Sequence, residues 1–568
     1  MSSGDFATQG STATTRGSKR TLIAVVRRMV FAGLTILGVW LVLLGLRSAA
    51  VHSIISLGVF DPPGVVTPED FRGHWSASWW TNKSVSELVV QRIGPPLQLV
   101  GYGALMALGI AAVLLFLGVL FSRATKSPPW LARVRTVVRL VLVNAAVSNP
   151  FVLGIVPVMV GALAFFGIVP AASNASSHGI TLGDVFLVSL LPAWLLVQAG
   201  HREMGRVNGS RGQVMKHMAV TLVIRLLRLT GAIIAVAVLV TGTLLNSVYQ
   251  RDFPVVFAFA FVLAVIVVVA KLAADIVEIA YRRRARMMDA AQSEPDVAWR
   301  PAIPTGWVVF SLAMVAVFVL AAFIGPLLAP YPVNQVSIAD KLAPPSAAHL
   351  LGTDNVGRDM LSRVLVALRT DVFSGLLAVV IVIGVAAGWV ILSSLARKRN
   401  DWLGDTLEDV VMLPRDVLGA FPWLVLLMVV VSIAGVGDTI TLVLAVSIAL
   451  WPHVVGMLRE CYLSAPGKRG WVENLLGGVL PVSLLATGAG ILYMVALGYL
   501  GMGVPPPQPE LGSILSGQGR VYLVQAPWIA QWPIIVLAAL LFVWVMAGNA
   551  LLEKLGFHSG AVWAKSLE

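Results

Sequence analysis

The chain has 568 residues, of which 58% are hydrophobic and 12% are charged, and its formal net charge is +13. A soluble protein has about 25% charged residues, so this composition excludes an ordinary globular domain and indicates a protein embedded in a lipid bilayer. Basic residues lie at the ends of apolar runs. This position indicates that they set the orientation of membrane spans and do not bind nucleic acid. Cys461 is the single cysteine, so an intrachain disulfide is excluded.

About twelve apolar runs are long enough to cross the roughly 30 Å of bilayer hydrocarbon, and they form two sets of six. The first set is predicted at 22–46, 97–121, 136–165, 182–199, 218–245 and 253–280. The second set is predicted at 307–329, 372–395, 418–436, 438–457, 476–502 and 531–552. The sequence therefore predicts an all-α polytopic membrane protein with this division: a disordered cytoplasmic tail (1–21), a first half (22–284), a cytoplasmic linker (285–304), a second half (305–556) and a cytoplasmic tail (557–568).

Basic residues cluster in alternate connections between the predicted spans. The connections 166–181 and 246–252 are nearly free of Lys and Arg, whereas the connections on either side of them are rich in both. Because basic loops stay on the cytoplasmic side, both termini are predicted to be cytoplasmic. The long polar segment 330–371 is then predicted to lie outside.

That outer segment contains the charged stretch "LGTDNVGRDMLSR" at 351–363. Its glycines allow tight turns, its aspartates can cap turns or helix starts, and its arginines can pair with them. The plain alternative is a solvated, capped surface helix that ends before the next span. The residues singled out are Gly352, Thr353, Asp354, Gly357, Arg358, Asp359 and Arg363.

The second half resembles the C-type permease subunit of the peptide and nickel ABC importers. That family has an LGTDxxGRDxxSR segment between its first two spans, which matches 351–363 here. The similarity continues through "VMLPRDVLGAFPWLVLLMVVV" (411–431) and "ALGYLGMGVPPPQPELGSILSGQG" (496–519). More faintly, the first half resembles the partner B-type subunit, for example in "QRDFPVVFAFAFVLAVIVVVAKLAADIVEIAYRR" (250–283).

The resemblance implies a fusion of both subunits into two six-helix halves of a type I ABC importer permease, located in the bacterial cytoplasmic membrane. It implies these partners: two ABC ATPase subunits, an extracytoplasmic substrate-binding (lipo)protein, the lipid bilayer and a small peptide-like substrate. The charged stretch 349–371 is then expected to form a re-entrant or amphipathic helix at the outer gate, on the side of the binding protein.

In this family the ATPases bind a cytoplasmic loop between the fourth and fifth spans of each half. The matching loops place the predicted coupling residues at Arg202, Glu203, Gly209 and Gly212, and at Arg459, Glu460, Gly467, Lys468 and Arg469. The chain has no G-x-x-x-x-G-K-[ST] phosphate loop, so we expect no ATPase site, no catalytic residue and no cofactor of its own. ATP and Mg²⁺ are expected on the partner subunits. Scattered histidines give no metal site.

Two other functions remain open at this stage. An ATP-independent secondary transporter or channel is expected to place charges or broken helices at mid-membrane, and few charges lie inside these spans. A non-transporting membrane scaffold would explain why both predicted coupling loops match the family pattern only loosely. The substrate, whether peptide, nickel chelate or another solute, is not specified by the residues.

Overall fold

The structure is a computed structural model that describes residues 23–46, 83–122, 211–241, 252–289, 305–397, 402–434, 438–463, 471–505, 507–516 and 525–557, with the single residues 78, 244, 247, 248, 521, 522 and 562. These residues form helices and loops without a strand; one isolated antiparallel bridge joins Thr353 and Asp359. The all-α class predicted from the sequence is confirmed.

The described residues of the first half form five named helices: α1 (Ile23–Leu46), α2 (Val85–Ser122), α3 (Arg211–Arg228), α4 (Thr230–Thr241) and α5 (Phe253–Asp289). Eight belong to the second half: α6 (Thr305–Ile324), α7 (Met360–Arg397), α8 (Trp402–Leu418), α9 (Trp423–Ala434), α10 (Thr439–Leu463), α11 (Trp471–Tyr499), α12 (Leu511–Ile514) and α13 (Trp528–Lys554). Short 3-10 turns at Gly325–Leu327 and Ile338–Asp340 interrupt the loop between α6 and α7.

Eight helices in the described part of the chain are long and apolar enough to cross a membrane, and α8 with α9 makes a ninth if the bent pair is one span. The predicted spans 136–165 and 182–199 lie outside the described residues. The predicted span 218–245 is divided at Leu229 into α3 and the 12-residue α4. A helix of 12 residues rises only about 18 Å, which is too short to cross alone.

Two predicted boundaries in the second half are wrong. The span expected at 372–395 begins twelve residues earlier, at Met360, because the polar first turns of α7 are capped and buried instead of solvated. The span expected at 418–436 is preceded by the amphipathic α8, and α8 and α9 meet at a 74° bend. Gly419 to Pro422 separate them, and a proline after a helix disfavours its continuation.

The two halves share one hydrophobic core. Ile234 and Val238 of α4 and Phe253 of α5 are buried in the same cluster as Leu424 and Met428 of α9. Helix α1 also contacts the second half, since a Cβ on Gly38 would lie 2.5 Å from a Val417 methyl carbon. A second cluster, confined to the second half, joins α6, α7, α11, α12 and α13. Apolar burial on this scale holds the halves as one unit.

Candidate functional site

The loop between α6 and α7 is a compact, hydrogen-bonded unit, here called the connector (residues 325–359). Its backbone closes on itself through Leu342 N–H to Asp354 O at 3.0 Å and Ser337 N–H to Val356 O at 3.2 Å. Thr353 is fully buried, and its hydroxyl accepts from the Ala343 N–H at 2.8 Å and donates to the Asp340 carbonyl. Buried backbone groups in a loop need such partners, and here the loop supplies its own.

Asp354 is the charged centre of the connector and is 0% exposed. One carboxylate oxygen accepts from the backbone N–H groups of Val356 and Arg358, each at 2.9 Å. The other accepts from Arg358 Nε at 2.6 Å and lies 3.7 Å from Arg363 Nε. A buried carboxylate is stable only with such a set of donors and cations. The predicted pairing of Arg358 and Arg363 with an aspartate is therefore seen on Asp354.

Asp359 determines where α7 begins. Its Oδ2 accepts from the backbone N–H and the hydroxyl of Ser362, each at 2.8 Å, which is the bonding of a helix N-cap. Its Oδ1 lies 3.0 Å from His349 Nδ1. The His349 ring packs on Tyr331, with 4.8 Å between ring centroids. One aspartate thus joins the helix start to the middle of the connector.

Gly352 and Gly357 are required by geometry. Their φ angles are +76° and +80°, a region that side-chain-bearing residues avoid. A Cβ on Gly357 would lie 1.7 Å from the Ser337 carbonyl oxygen, and one on Gly352 would lie 2.7 Å from the Trp528 ring. Both turns predicted from these glycines are present.

Trp528, the first residue of α13, fastens the connector to the helical bundle. Its indole Nε1 donates to the Thr353 carbonyl at 3.0 Å. Arg363 stands beside this joint with only 8% of its side chain exposed, and its Nε and Nη1 make no hydrogen bond within the described residues. The seven residues predicted at the outer gate are thus brought together: six lie in the loop before α7, and Arg363 lies in the first turn of α7. The helix expected over 349–371 is present only from Met360 onward, as the start of α7, and is wrong over 349–359, because Asp354 and the glycines favour turns there.

Three of the predicted coupling residues lie in the described part of the chain, and Arg459 and Glu460 are at the opposite end of the bundle from the connector. Arg459 and Glu460 are in the last turns of α10, which continues six residues past the predicted span. Arg459 Nε donates to Glu408 of α8 at 3.2 Å, and Arg397 Nε lies 3.8 Å from the same carboxylate. Gly212 is in the first turn of α3. The others lie outside the described residues: Arg202, Glu203, Gly209, Gly467, Lys468 and Arg469.

An ion-pair group at this same end joins the two halves. Arg27 of α1 donates from Nε to Asp409 of α8 at 2.5 Å, and its Nη1 lies 3.5 Å from Asp405. Helix α8 therefore contacts α1 through Asp405 and Asp409, and α10 through Glu408. Within the first half, Arg228 pairs with Asp275 at 3.1 Å and also with Glu278. Asp275 also lies 3.5 Å from Arg28 of α1, so it has arginine partners on two helices.

Sequence reasoning missed several residues of these sites. His349 and Trp528 were not singled out, although a histidine ten residues before an N-cap aspartate and a tryptophan at a helix start are visible signals. Asp371 and Glu510 were also missed: both are 1% exposed, and they meet where α7 approaches α12. Each of them has a visible signal in the sequence. Asp371 is an acidic residue inside an apolar run, and Glu510 lies within a glycine-rich and proline-rich stretch.

The comparisons with known proteins fit this geometry. The family model described as the N-terminal TM domain of oligopeptide transport permease C matches residues 307–345, which cover α6 and the first part of the connector. The chain is 27% identical to the dipeptide transport system permease protein DppC of Haemophilus influenzae over 270 residues, 43% of this chain and 88% of that protein. It is 28% identical to the nickel transport system permease protein NikC of Escherichia coli K12, over 44% of this chain and 93% of that one.

A further relative is the probable D,D-dipeptide transport system permease protein DdpC of Escherichia coli K12. The identity is 30% over 243 residues, which are 40% of this chain and 78% of that protein. These alignments cover 40% to 44% of this chain and 78% to 93% of the relatives. The chain belongs to the C-type permease family of the peptide and nickel ABC importers, with that similarity covering a little under half of its length.

Proposed function

We propose that this chain is the complete membrane pathway of an ATP-driven importer that takes di- or oligopeptides from an external binding protein. The C-like second half follows from family membership, and the first half acts as its B-like counterpart. The core shared by α4, α5 and α9 supports this pairing, because two permease halves must pack on each other to enclose a pathway.

The observation that carries the proposal is the connector. It is a closed, hydrogen-bonded loop at one end of the bundle, whereas Arg27, Arg228, Arg397 and Arg459 lie at the other. By the positive-inside rule the arginine end faces the cytoplasm and the connector faces outward, where a binding protein would deliver substrate. Both termini are cytoplasmic in this arrangement.

At the cytoplasmic end, the proposed ATPase contacts are the predicted coupling residues of both halves. Helix α8 pairs with Arg459 of its own half and with Arg27 of the first half. It can therefore transmit a movement of the coupling residues from one half to the other. ATP and Mg²⁺ bind to the two partner ATPases, and this chain converts their closure into alternating access. Peptide is proposed over nickel chelates because two of the three relatives named above are dipeptide permeases by name.

The test is co-purification of the chain from native membranes, followed by reconstitution in liposomes with its ATPases and binding protein. We expect two ATPases per chain and ATP-dependent uptake of a labelled dipeptide, with Ni²⁺ as the competing substrate. Replacing Arg459 and Glu460 by alanine is expected to reduce ATPase stimulation. Uptake that persists without ATPases would establish a secondary transporter, and stoichiometric ATPases without uptake of any substrate would establish a scaffold.

A further inference from the structure

Two carboxylic acids are buried together at the connector end of the bundle. Asp371 lies in α7 and Glu510 immediately precedes α12, and each is 1% exposed. Asp371 Oδ2 accepts from the backbone N–H of Leu511 at 3.1 Å. That N–H belongs to the peptide bond between Glu510 and Leu511, so the two acidic residues lie next to each other. Asp371 Oδ1 and Glu510 Oε1 have no hydrogen-bond partner within the described residues. Unpartnered buried carboxylate oxygens are costly and call for an explanation.

The chain is shaped to hold Glu510 in this position. A Cβ on Gly498 would lie 1.9 Å from Glu510 Oε1, and one on Gly503 would lie 1.8 Å from it. The carboxyl group therefore occupies a space that only glycines leave open. Glu510 also caps α12 in a reciprocal capping box with Ser513. The segment 507–516, here called the hook, is thus attached to α11 through Glu510 and to α7 through Asp371.

No cation of the described residues neutralises this pair. Helices α7, α11 and α13 pack against α12. On α7, Arg363 faces Asp354, and the Arg369 guanidinium lies 5.9 Å from the Phe373 ring centroid. The remaining ionisable groups on these helices are Tyr493 and Tyr499 on α11, with the distant helix-end residues Glu473, Arg397, Glu553 and Lys554. Asp371 is the charge that acts on Glu510.

We propose that Asp371 and Glu510 form a proton-binding site, which holds one proton at neutral pH and thereby fastens the hook to α7. Two buried carboxyl groups that face no basic side chain among the described residues disfavour a double charge, because each charge loses its hydration and repels the other. Protonation of one group removes the repulsion and supplies a donor. The proton belongs to the pair as a whole.

The direction of the pH response follows from the same groups. Burial, together with the nearby Asp371 charge, raises the pKa of Glu510 to about 8, against the backbone N–H of Val504, which lowers it. The attached hook therefore binds a proton that the released hook gives up at neutral pH. Attachment is strongest below the ordinary carboxyl pKa, weakens as the pH rises through about 8, and changes no further above that. In the proposed orientation the site faces outward, a placement that rests on the proposed function.

The test uses the full chain in detergent and does not require transport, so it can fail independently of the proposed function. Infrared difference spectroscopy follows the band of a protonated carboxyl between pH 6 and 10. We expect the band at pH 7 and its loss with a midpoint near 8. In D371N the midpoint should move down by one unit or more, since removal of a nearby like charge shifts a pKa by roughly 1–3 units. In E510Q the component of the band with a midpoint near 8 should be lost. D438N, at an exposed aspartate, is the matched control and should match the unmodified chain.

Hydrogen exchange at the hook amides, corrected for intrinsic pH dependence, gives a second measurement. Exchange should accelerate as the pH rises towards 8 and level off above it in the unmodified chain, and should be independent of pH in E510Q, because a glutamine keeps a donor at every pH. Absence of the band from the unmodified chain at pH 6–7 would overturn the proposal without use of any variant. A D371N midpoint equal to that of the unmodified chain would also overturn it, because it would mean that Glu510 binds its proton alone.

Discussion

Replacement of Asp354 by asparagine is the sharpest test of the connector as a rigid unit. The substitution keeps the side-chain shape and removes the negative charge that Arg358 Nε contacts at 2.6 Å and Arg363 Nε approaches at 3.7 Å. It leaves two arginines beside a neutral amide in a site where Asp354 is 0% exposed. Breaking a buried ion pair from one side costs about 3–5 kcal/mol. We take the lower part of that range, because Arg358 is 19% exposed and can reach water.

Hydrogen exchange is the suitable assay, since the connector can open without unfolding the helices. The reporting amides are those of Ser337, Leu342 and Thr353, which bond across the connector. A loss of about 3 kcal/mol corresponds to roughly a 10²-fold increase in their exchange rate. The matched control is D438N, because Asp438 is exposed and lies outside the connector. An increase below about threefold, or equal to that of the control, would refute the assignment of Asp354 as the centre of the connector.

Two further predictions concern single contacts. In G357A, the added Cβ meets the Ser337 carbonyl at 1.7 Å and the φ of +80° is strained, so we expect the thermal stability of the full chain to fall clearly. The matched G384A variant lies in a helix with nothing within 4 Å of the added Cβ, and it should stabilise the chain by about 1 kcal/mol; equal effects of the two would contradict the geometry. For Arg459, we expect R459A to uncouple ATP hydrolysis from transport in proteoliposomes, and E408Q to do so to a similar degree. The double variant should be no worse than either single variant. Additive losses would show that the Arg459–Glu408 pair is not the shared element.

Some site residues were predictable because their roles are local. Gly352 and Gly357 are turn residues within a few positions of the aspartates they serve, and Asp359 caps a helix that starts at the next residue. Sequence alone therefore identified the group of seven. It did not identify the form that they take, because the choice between a surface helix and a closed loop depends on His349 and Trp528. These residues lie ten and 169 positions from Asp359 and contact the loop only after folding.

The amino-acid sequence by itself determined the membrane class, most of the described spans and the family resemblance, because twenty-residue apolar runs and short turn motifs are local properties of the chain. Only the tertiary structure decided the bend between α8 and α9, the Arg27–Asp409 contact across the two halves and the burial of Asp371 beside Glu510. The residues of these last two contacts are 382 and 139 positions apart, and no local periodicity brings such groups together. Their positions follow from how the helices pack. Packing also decides whether a buried carboxylate lies beside an opposite charge or must bind a proton.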